Sequence, residues 1–136
     1  MQPEKLTLEI VTPERLVLSE AVLEVVLPSI EGYMGVRPGH APLMAKLDVG
    51  EISYRTDAGQ KYLAVSAGFA EVLQGSVSIL AETAEPAEEI DVERAQRSRE
   101  SAETLLKSQL SGHEFLRAEL RLKKAIGRIR VRERTR

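Results

Sequence analysis

The first 84 residues alternate apolar and polar side chains in short runs, which is the pattern of half-buried β-strands. Leu6 to Ile10, Leu23 to Leu27 and Val77 to Ile79 each place alternate residues on opposite faces. Turn-forming residues separate such runs: Thr12-Pro13, Pro28-Ser29, Gly32, Pro38-Gly39, Asp57-Ala58-Gly59 and Gln74-Gly75. The pattern predicts an all-β domain, either a sandwich or a barrel of short strands.

Beyond about residue 85 the apolar residues recur at helical spacing, and proline is absent after Pro86. Asp91 is a suitable N-cap for a first helix that should run to about Leu110. A short connection at Ser111-Gly112 should place a second helix antiparallel to the first. The predicted stripe of the second helix is Phe115, Ala118, Leu122, Ala125, Ile126 and Ile129.

These patterns predict an α+β chain with two parts. Residues 1–85 should form the β domain, and residues 86–136 an antiparallel two-helix hairpin, with a hinge near residues 85–89. Two helices of this length bury little surface by themselves, so the hairpin needs a docking surface on the β domain or on another protein.

The size and composition of the chain exclude several classes of protein. At 136 residues it has room for one small domain plus an appendage. With no cysteine, it has no disulfide, thiolate metal site or cysteine nucleophile, which fits a reducing compartment. No stretch approaches the roughly 20 apolar residues that a membrane-spanning helix needs, and we expect no targeting segment at the start.

The net charge of -2 conceals a strong segregation of charge. Residues 1–90 carry six basic and 14 acidic side chains, whereas residues 113–136 carry nine basic and three acidic ones. The basic residues of the second helix are Arg117, Arg121, Lys123, Lys124, Arg128, Arg130, Arg132, Arg134 and Arg136. No acidic run of the chain is evident to face them, so we expect an anionic partner; the alternative is a solvated amphipathic face. Two Phe, three Tyr and no Trp argue against nucleic acid.

The sequence gives no sign of a catalytic or metal site. It has no glycine-rich phosphate loop and no serine or threonine set beside histidine and aspartate. Its two histidines, His40 and His113, lie in different segments. We therefore expect neither intrinsic catalysis nor a bound metal.

Five ordered motifs carry a resemblance to a known family. The most specific is GVRPGHAPL at residues 35–43, of the form G-hydrophobic-x-P-G-H-x-P-L. It is followed by GEI at 50–52, AVSAGFAEV at 64–72 and VSILAETAE at 77–85. The last, IDVERA at 90–95, is similar to an I/L-D-x-x-R-A signature. In this order the motifs resemble the epsilon subunit of bacterial F-type ATP synthases, from about Leu6 to Val131.

The resemblance implies a fold, a function and partners. It implies a β-sandwich of about ten short strands, followed by the hairpin. It implies a non-catalytic rotor subunit that joins the gamma subunit to the c-ring, contacts the alpha and beta subunits, and lies peripherally on the cytoplasmic face of the bacterial inner membrane. Its C-terminal helices would inhibit ATP hydrolysis by meeting an acidic segment of the beta subunits. The inhibitory residues would be Arg117, Arg121, Lys123, Lys124, Arg128, Arg130 and Arg132.

The resemblance also suggests regulatory ATP, although no cofactor is required. The candidate nucleotide residues are Glu85, Ile90, Asp91, Arg94, Ala95, Lys124 and Arg128. Lys124 stands where ATP-binding members tend to have arginine; a lysine keeps the charge but loses the bidentate reach of arginine. Ser101 stands where such members tend to have another arginine. The alternative is that Asp91 is purely an N-cap and that Arg94 pairs with Glu89 or Glu93.

The loop from Gly32 to Leu43 contains three glycines and two prolines, and such a rigid loop suits a contact with the rotor. The candidate contacts with the rotor and c-ring are Glu31, Tyr33, Met34 and His40. Tyr33 stands where related proteins often have an acidic residue. The alternative is a structural turn with a satisfied histidine.

The sequence also allows two other hypotheses for the function of the chain. One is a binding module, either a stand-alone ATP sensor or a basic-helix adaptor for nucleic acid or an acidic membrane. The other is a small β-sandwich enzyme.

Overall fold

The computed structural model describes residues 4–134. This part of the chain contains eight β-strands, a 3-10 helix and two α-helices in the predicted order. The strands are β1 Leu6–Val11, β2 Leu16–Val22, β3 Glu24–Ser29, β4 Gly32–Val36, β5 Leu43–Leu47, β6 Gly50–Thr56, β7 Gly59–Leu73 and β8 Ser76–Pro86. The 3-10 helix Ala87–Glu89 leads to α1 Val92–Leu106 and α2 Gly112–Glu133.

Two long strands organise the β domain. The hydrogen-bonded order is β2-β1-β8-β7-β5-β3-β4, with β6 pairing to both β3 and β7. The first half of β7 pairs with β6 and its second half pairs with β5, while β8 accompanies β7 through both halves. Because β7 and β8 each serve two layers, eight strands supply about ten strand segments. This accounts for the difference from the predicted count.

A single hydrophobic core lies between the two layers. The predicted alternation is confirmed in β1, where Leu6, Leu8 and Ile10 are buried and the residues between them are exposed. The buried cluster also draws on strands of the other layer, including Ile52 of β6 and Leu63 of β7. The layers therefore face each other as a sandwich.

The predicted turn at Pro28-Ser29 lies two residues too early. Both residues belong to β3, and the chain reverses at Ile30 and Glu31. A strand tolerates proline where no amide hydrogen is needed for the ladder. The carbonyl of Pro28 still accepts a hydrogen bond from the backbone N–H of Asp48 at 2.9 Å.

The first helix ends earlier than predicted, at Leu106 instead of about Leu110. Beyond it, the hydroxyl of Ser108 donates to the carbonyl of Leu105 at 2.7 Å. Ser111 is the N-cap of α2 and forms a capping box with Glu114, so α2 already includes Gly112. The capping box fixes the start of α2 and makes 107–111 the connection.

The hairpin packs through small side chains. The residues of α1 and α2 that face each other and are buried include Ala95, Ala102, Ala118 and Ala125. Alanine lets the helices approach closely but buries little apolar surface. The hairpin consequently needs a further docking surface, and in the structure α2 packs on the β domain, one of the two predicted alternatives.

Candidate functional site

A cavity of about 490 Å³ opens between the two helices and the end of β8. We call it the interhelical cavity. It is lined by Glu85, Glu89, Asp91, Arg94, Ala95, Arg97, Ser98, Arg121 and Arg128. Strand β8, the 3-10 helix and both α-helices each contribute, so the cavity exists only while the hairpin is docked.

Asp91 is positioned by its role at the start of α1. Its carboxylate accepts a hydrogen bond from the backbone N–H of Arg94 at 3.1 Å, and this confirms the predicted N-cap. The predicted alternative pairing of Arg94 with Glu89 or Glu93 is wrong, because no ion pair joins them in the described residues. Asp91 and Arg94 both line the cavity, and Arg94 has no carboxylate partner among the described residues.

Two of the carboxylates at the cavity already hold a cation. Glu85 of β8 accepts from the guanidinium of Arg128 at 2.6 Å, and both side chains are about one third exposed. Glu89 accepts from Arg15 of the β1–β2 turn at 2.6 Å. The carboxylates of the lining are thus engaged with protein groups.

Two predicted nucleotide residues lie outside the cavity. Ile90 is buried with Ala64, Ala87 and Val131 beneath the hairpin. Lys124 lines a neighbouring narrow cleft against Gly50 and does not reach the interhelical cavity. Ile90 is apolar and adjoins the N-cap, so packing against α2 is the more favourable placement.

The cavity also contains residues that the sequence analysis did not assign to the nucleotide site. Arg97 lies one helical turn after Arg94, and Arg121 lies two turns before Arg128. Residues three, four or seven apart share a helix face, so spacing from the motif residues was the available signal. Ser98 and Glu89 complete the additional lining.

Carboxylates of the β domain hold the basic helix, contrary to the expectation that none was available. Lys123 bonds to Asp48 at 2.9 Å, and Arg134 bonds to Glu51 at 2.7 Å. With Arg128–Glu85 these form what we call the docking ion pairs. The prediction failed because strand pairing gathers acidic residues that are scattered along the sequence.

Two members of the docking ion pairs, Asp48 and Arg134, have shifted pKa values. The hydrogen bond from Lys123 holds the pKa of the Asp48 carboxyl below its ordinary value. The hydrogen bond to Glu51 raises the pKa of the Arg134 guanidinium, which also lies 5.5 Å from the centre of the Tyr62 ring. Each shift favours the charged form, so the pairs stabilise docking at neutral pH.

The other members of the predicted inhibitory helix are placed differently. Arg117 lines a groove with Leu105 and Leu110 near the connection of the hairpin. Arg130 is exposed beside Tyr33, and Arg132 is half-buried. Arg136 lies outside the described residues.

The predicted rotor contacts do not form one surface. Glu31 and Tyr33 are exposed, whereas Met34 packs against the core because strand residues alternate between faces. The Tyr33 hydroxyl accepts from the backbone N–H of Glu51 at 3.2 Å. His40 donates from its ring Nδ1 to the carbonyl of Ala41 at 2.6 Å, which matches a structural turn with a satisfied histidine.

An exposed apolar face on the β domain was not predicted. Met44, Phe69 and Leu80 are 64%, 52% and 61% exposed. Phe69 pairs with Leu80 across β7 and β8, and Val11 of β1 pairs with Leu80 on its other side. We call this the apolar sheet face. Large exposed apolar patches mark sites where another protein binds.

None of the helices within residues 4–134 combines the length and the apolar character needed to cross a membrane. The same residues contain no group of three or more histidine, aspartate or glutamate side chains that could hold a metal ion.

Comparison with known proteins shows similarity over almost the whole chain. Residues 5–87 match the ATP synthase, Delta/Epsilon chain, beta-sandwich domain, and residues 88–133 match the long alpha-helix domain of the same chains. The ATP synthase epsilon chain of Syntrophobacter fumaroxidans is 49% identical over 132 residues, covering 97% of this chain and 98% of the relative. That of Moorella thermoacetica is 45% identical over 127 residues, covering 93% and 95%.

Solved structures show the same likeness. A chain in the Euglena gracilis mitochondrial ATP synthase, from a structure of OSCP, F1 and the c-ring, aligns with a TM-score of 0.81 at 27% identity. The alignment covers 93% of this chain and 81% of that one. A chain in the central stalk and c-ring structure of the Tetrahymena thermophila mitochondrial enzyme aligns with a TM-score of 0.65 at 11% identity, covering 97% and 99%, and supports the fold alone.

Proposed function

The chain belongs to the ATP synthase delta/epsilon chain family, and we propose that it is a central-stalk subunit that joins the gamma subunit to the c-ring. The observation that carries this proposal is the match of both parts of the chain to that family. In this role it contributes no catalytic group of its own. It lies peripherally at the cytoplasmic face of the bacterial inner membrane, in keeping with its bacterial relatives.

The apolar sheet face is the surface that suits the gamma subunit. Phe69 and Leu80 are paired, exposed and apolar, and a stalk partner would remove them from water. Burial of such side chains contributes about 1.5–3 kcal/mol each. Leu80→Glu should therefore weaken assembly with gamma, measured by co-purification, while Leu116→Glu, at a similarly exposed position on α2, should not.

The hairpin supplies a second function, restraint of ATP hydrolysis. In the docked state Lys123, Arg128 and Arg134 are held by carboxylates of the β domain. If the hairpin extends, these cations lose their partners and are available to the acidic segment of the beta subunits. The basic helix then steers and holds the extended state electrostatically.

A reconstitution experiment tests this function. The complex depleted of its epsilon subunit is supplied either with the full chain or with a version that ends at Glu88. We expect slower ATP hydrolysis with the full chain and similar assembly of both. Equal hydrolysis rates would exclude an inhibitory role for the hairpin while leaving the coupling role intact.

ATP is the regulatory ligand that we propose for the interhelical cavity. The cavity brings together Glu85, Asp91, Arg94 and Arg128 from three elements, and arginine binds phosphate well. Two variants of Asp91 separate ligand binding from capping. Asp91→Ser keeps an N-cap but removes the carboxylate, whereas Asp91→Ala removes both. Loss of ATP binding in both variants, measured by calorimetry, supports a contact with the ligand; retention in Asp91→Ser means that Asp91 only caps the helix.

A further inference from the structure

Four arginine side chains converge on the interhelical cavity, more than the signature motif supplies. Arg94 and Arg97 lie three residues apart on α1, about 4.5 Å along the axis. Arg121 and Arg128 lie seven residues apart on α2, about 10 Å along the axis and on nearly the same face. Two of the four, Arg97 and Arg121, belong to no motif of the sequence.

The positive charge of the cavity is only partly compensated. Glu85 holds Arg128, and Glu89 holds Arg15 from outside the cavity. The carboxylate of Asp91 accepts from a backbone N–H. The other three guanidinium groups of the lining have no carboxylate within ion-pair distance in the described part of the chain. Uncompensated guanidinium groups around a cavity favour a ligand with several negative charges.

The acidic side chains of the lining and two of its arginines lie toward opposite ends of the cavity. All three carboxylates lie at the end of the cavity next to β8 and the start of α1. Arg97 and Arg121 lie further from this end along their helices. Carboxylates repel phosphate but accept hydrogen bonds from hydroxyl or amino groups. A nucleotide is therefore favoured with its sugar and base toward β8 and its phosphates toward the two arginines.

From this arrangement we propose that Arg97 and Arg121 bind the phosphate chain and give the cavity its preference for a triphosphate. The assignment rests on the proposed regulatory nucleotide and extends it to residues outside the signature. The two arginines come from different helices, so a bound triphosphate bridges α1 and α2. Lys124, which lies outside the cavity, has no part in binding.

Calorimetry on the full chain tests the proposal with three probes: ATP, AMP and inorganic tripolyphosphate. Arg97→Gln and Arg121→Gln should each weaken ATP and tripolyphosphate by about tenfold, the loss of one charge-assisted hydrogen bond. AMP should be weakened less than about threefold, because it lacks the outer phosphates. Both side chains are exposed, so the variants should keep the melting temperature of the native chain.

Matched controls remove the same charge from the same helices. Arg99 on α1 pairs with Glu103 at 3.6 Å, and Arg130 on α2 lines a different surface. Arg99→Gln and Arg130→Gln should change ATP affinity by less than about twofold. Equal losses in all four variants would show a general charge effect and overturn the proposal, as would unchanged affinity in Arg97→Gln and Arg121→Gln.

The central-stalk role is distinguished by a separate readout. The double variant Arg97→Gln, Arg121→Gln should still assemble with gamma, since neither residue lies on the β domain. A native chain that binds neither ATP nor tripolyphosphate overturns the ligand assignment even if assembly is intact. A chain that binds ATP but does not assemble refutes the stalk role and leaves the ligand assignment standing.

Discussion

Removing carboxylates from the β domain should release the hairpin without altering the basic helix that is proposed to inhibit hydrolysis. Asp48→Asn with Glu51→Gln deletes the partners of Lys123 and Arg134. The expected outcome is a gain of inhibition, not a loss. Inhibition should become stronger, because a larger fraction of the hairpin is extended.

The size of the effect follows from exposure. The Asp48 and Lys123 side chains are 47% and 53% exposed, and such pairs contribute at most about 1 kcal/mol. The Glu51 side chain is only 15% exposed, which places its pair at the upper end of that range. Together the two pairs should stabilise docking by about 1–2 kcal/mol, equivalent to a roughly five- to thirtyfold shift in population.

Two measurements test the release. The chain has no cysteine, so dyes attached to single cysteines at Ser108 and Gln60 report the distance between hairpin and sheet by energy transfer. The docked population should fall in the double variant, and hydrolysis by the reconstituted complex should slow. The control Glu9→Gln with Glu14→Gln removes the same charge from exposed positions and should change neither.

The docked fraction and the hydrolysis rate report on separate properties of the hairpin. An unchanged docked fraction would show that the ion pairs do not hold the hairpin. A lower docked fraction with faster hydrolysis would retain the docking interpretation but refute inhibition by the extended helix.

Acid should weaken the same contact in a defined direction. The pKa of the Asp48 carboxyl is lowered by Lys123, so its contribution is fully present above the ordinary carboxyl pKa. It is lost as pH falls through the lowered value. Docking measured by energy transfer should therefore resist mild acidification, and Asp48→Asn should remove this component of the acid response.

Three further predictions concern the stability of the fold. Burial and the charge of Glu20 raise the pKa of Tyr54 to about 12. The phenol therefore stabilises the fold fully below pH 10, the usual tyrosine pKa, and progressively less up to about pH 12. Tyrosinate absorbance should show one ring that ionises late. Gly68→Ala should cost about 1–3 kcal/mol in urea unfolding, because a Cβ there meets backbone atoms of Leu80, whereas Gly112→Ala has open space and should not destabilise. Ser111→Ala should cost about 1 kcal/mol of thermal stability through loss of the capping box.

The alternation of apolar residues was sufficient to predict the sheet but not how it divides into layers. In β7 the pairing skips Ala67, between Ser66 and Gly68, and the strand passes from one layer to the other there. The sequence on both sides of that point has equal β character. A local pattern carries no signal for a bend that depends on which neighbouring strand is paired.

The candidate site was predictable where it depends on local structure. The N-cap at Asp91 follows from residue type and position, and the structure confirms it. The placement of Lys124 did not follow, because that residue lies about 40° around the helix from Arg128 and faces the cleft beside the sheet. Such a difference depends on how α2 is rotated in its docked position. That rotation is fixed by tertiary packing.

The weakness of the docking interface is itself suited to control by a ligand. Beneath the hairpin, Ile90 and Val131 are the large buried side chains, each contributing about 1.5–3 kcal/mol, and the exposed docking ion pairs add less. A ligand that binds only the docked state at 100 times its Kd stabilises that state by about 2.7 kcal/mol. This is comparable to one buried side chain of the interface. A triphosphate bridging Arg97 and Arg121 would therefore suffice to shift the hairpin toward its docked state. An acidic partner that binds the basic helix shifts it toward the extended state.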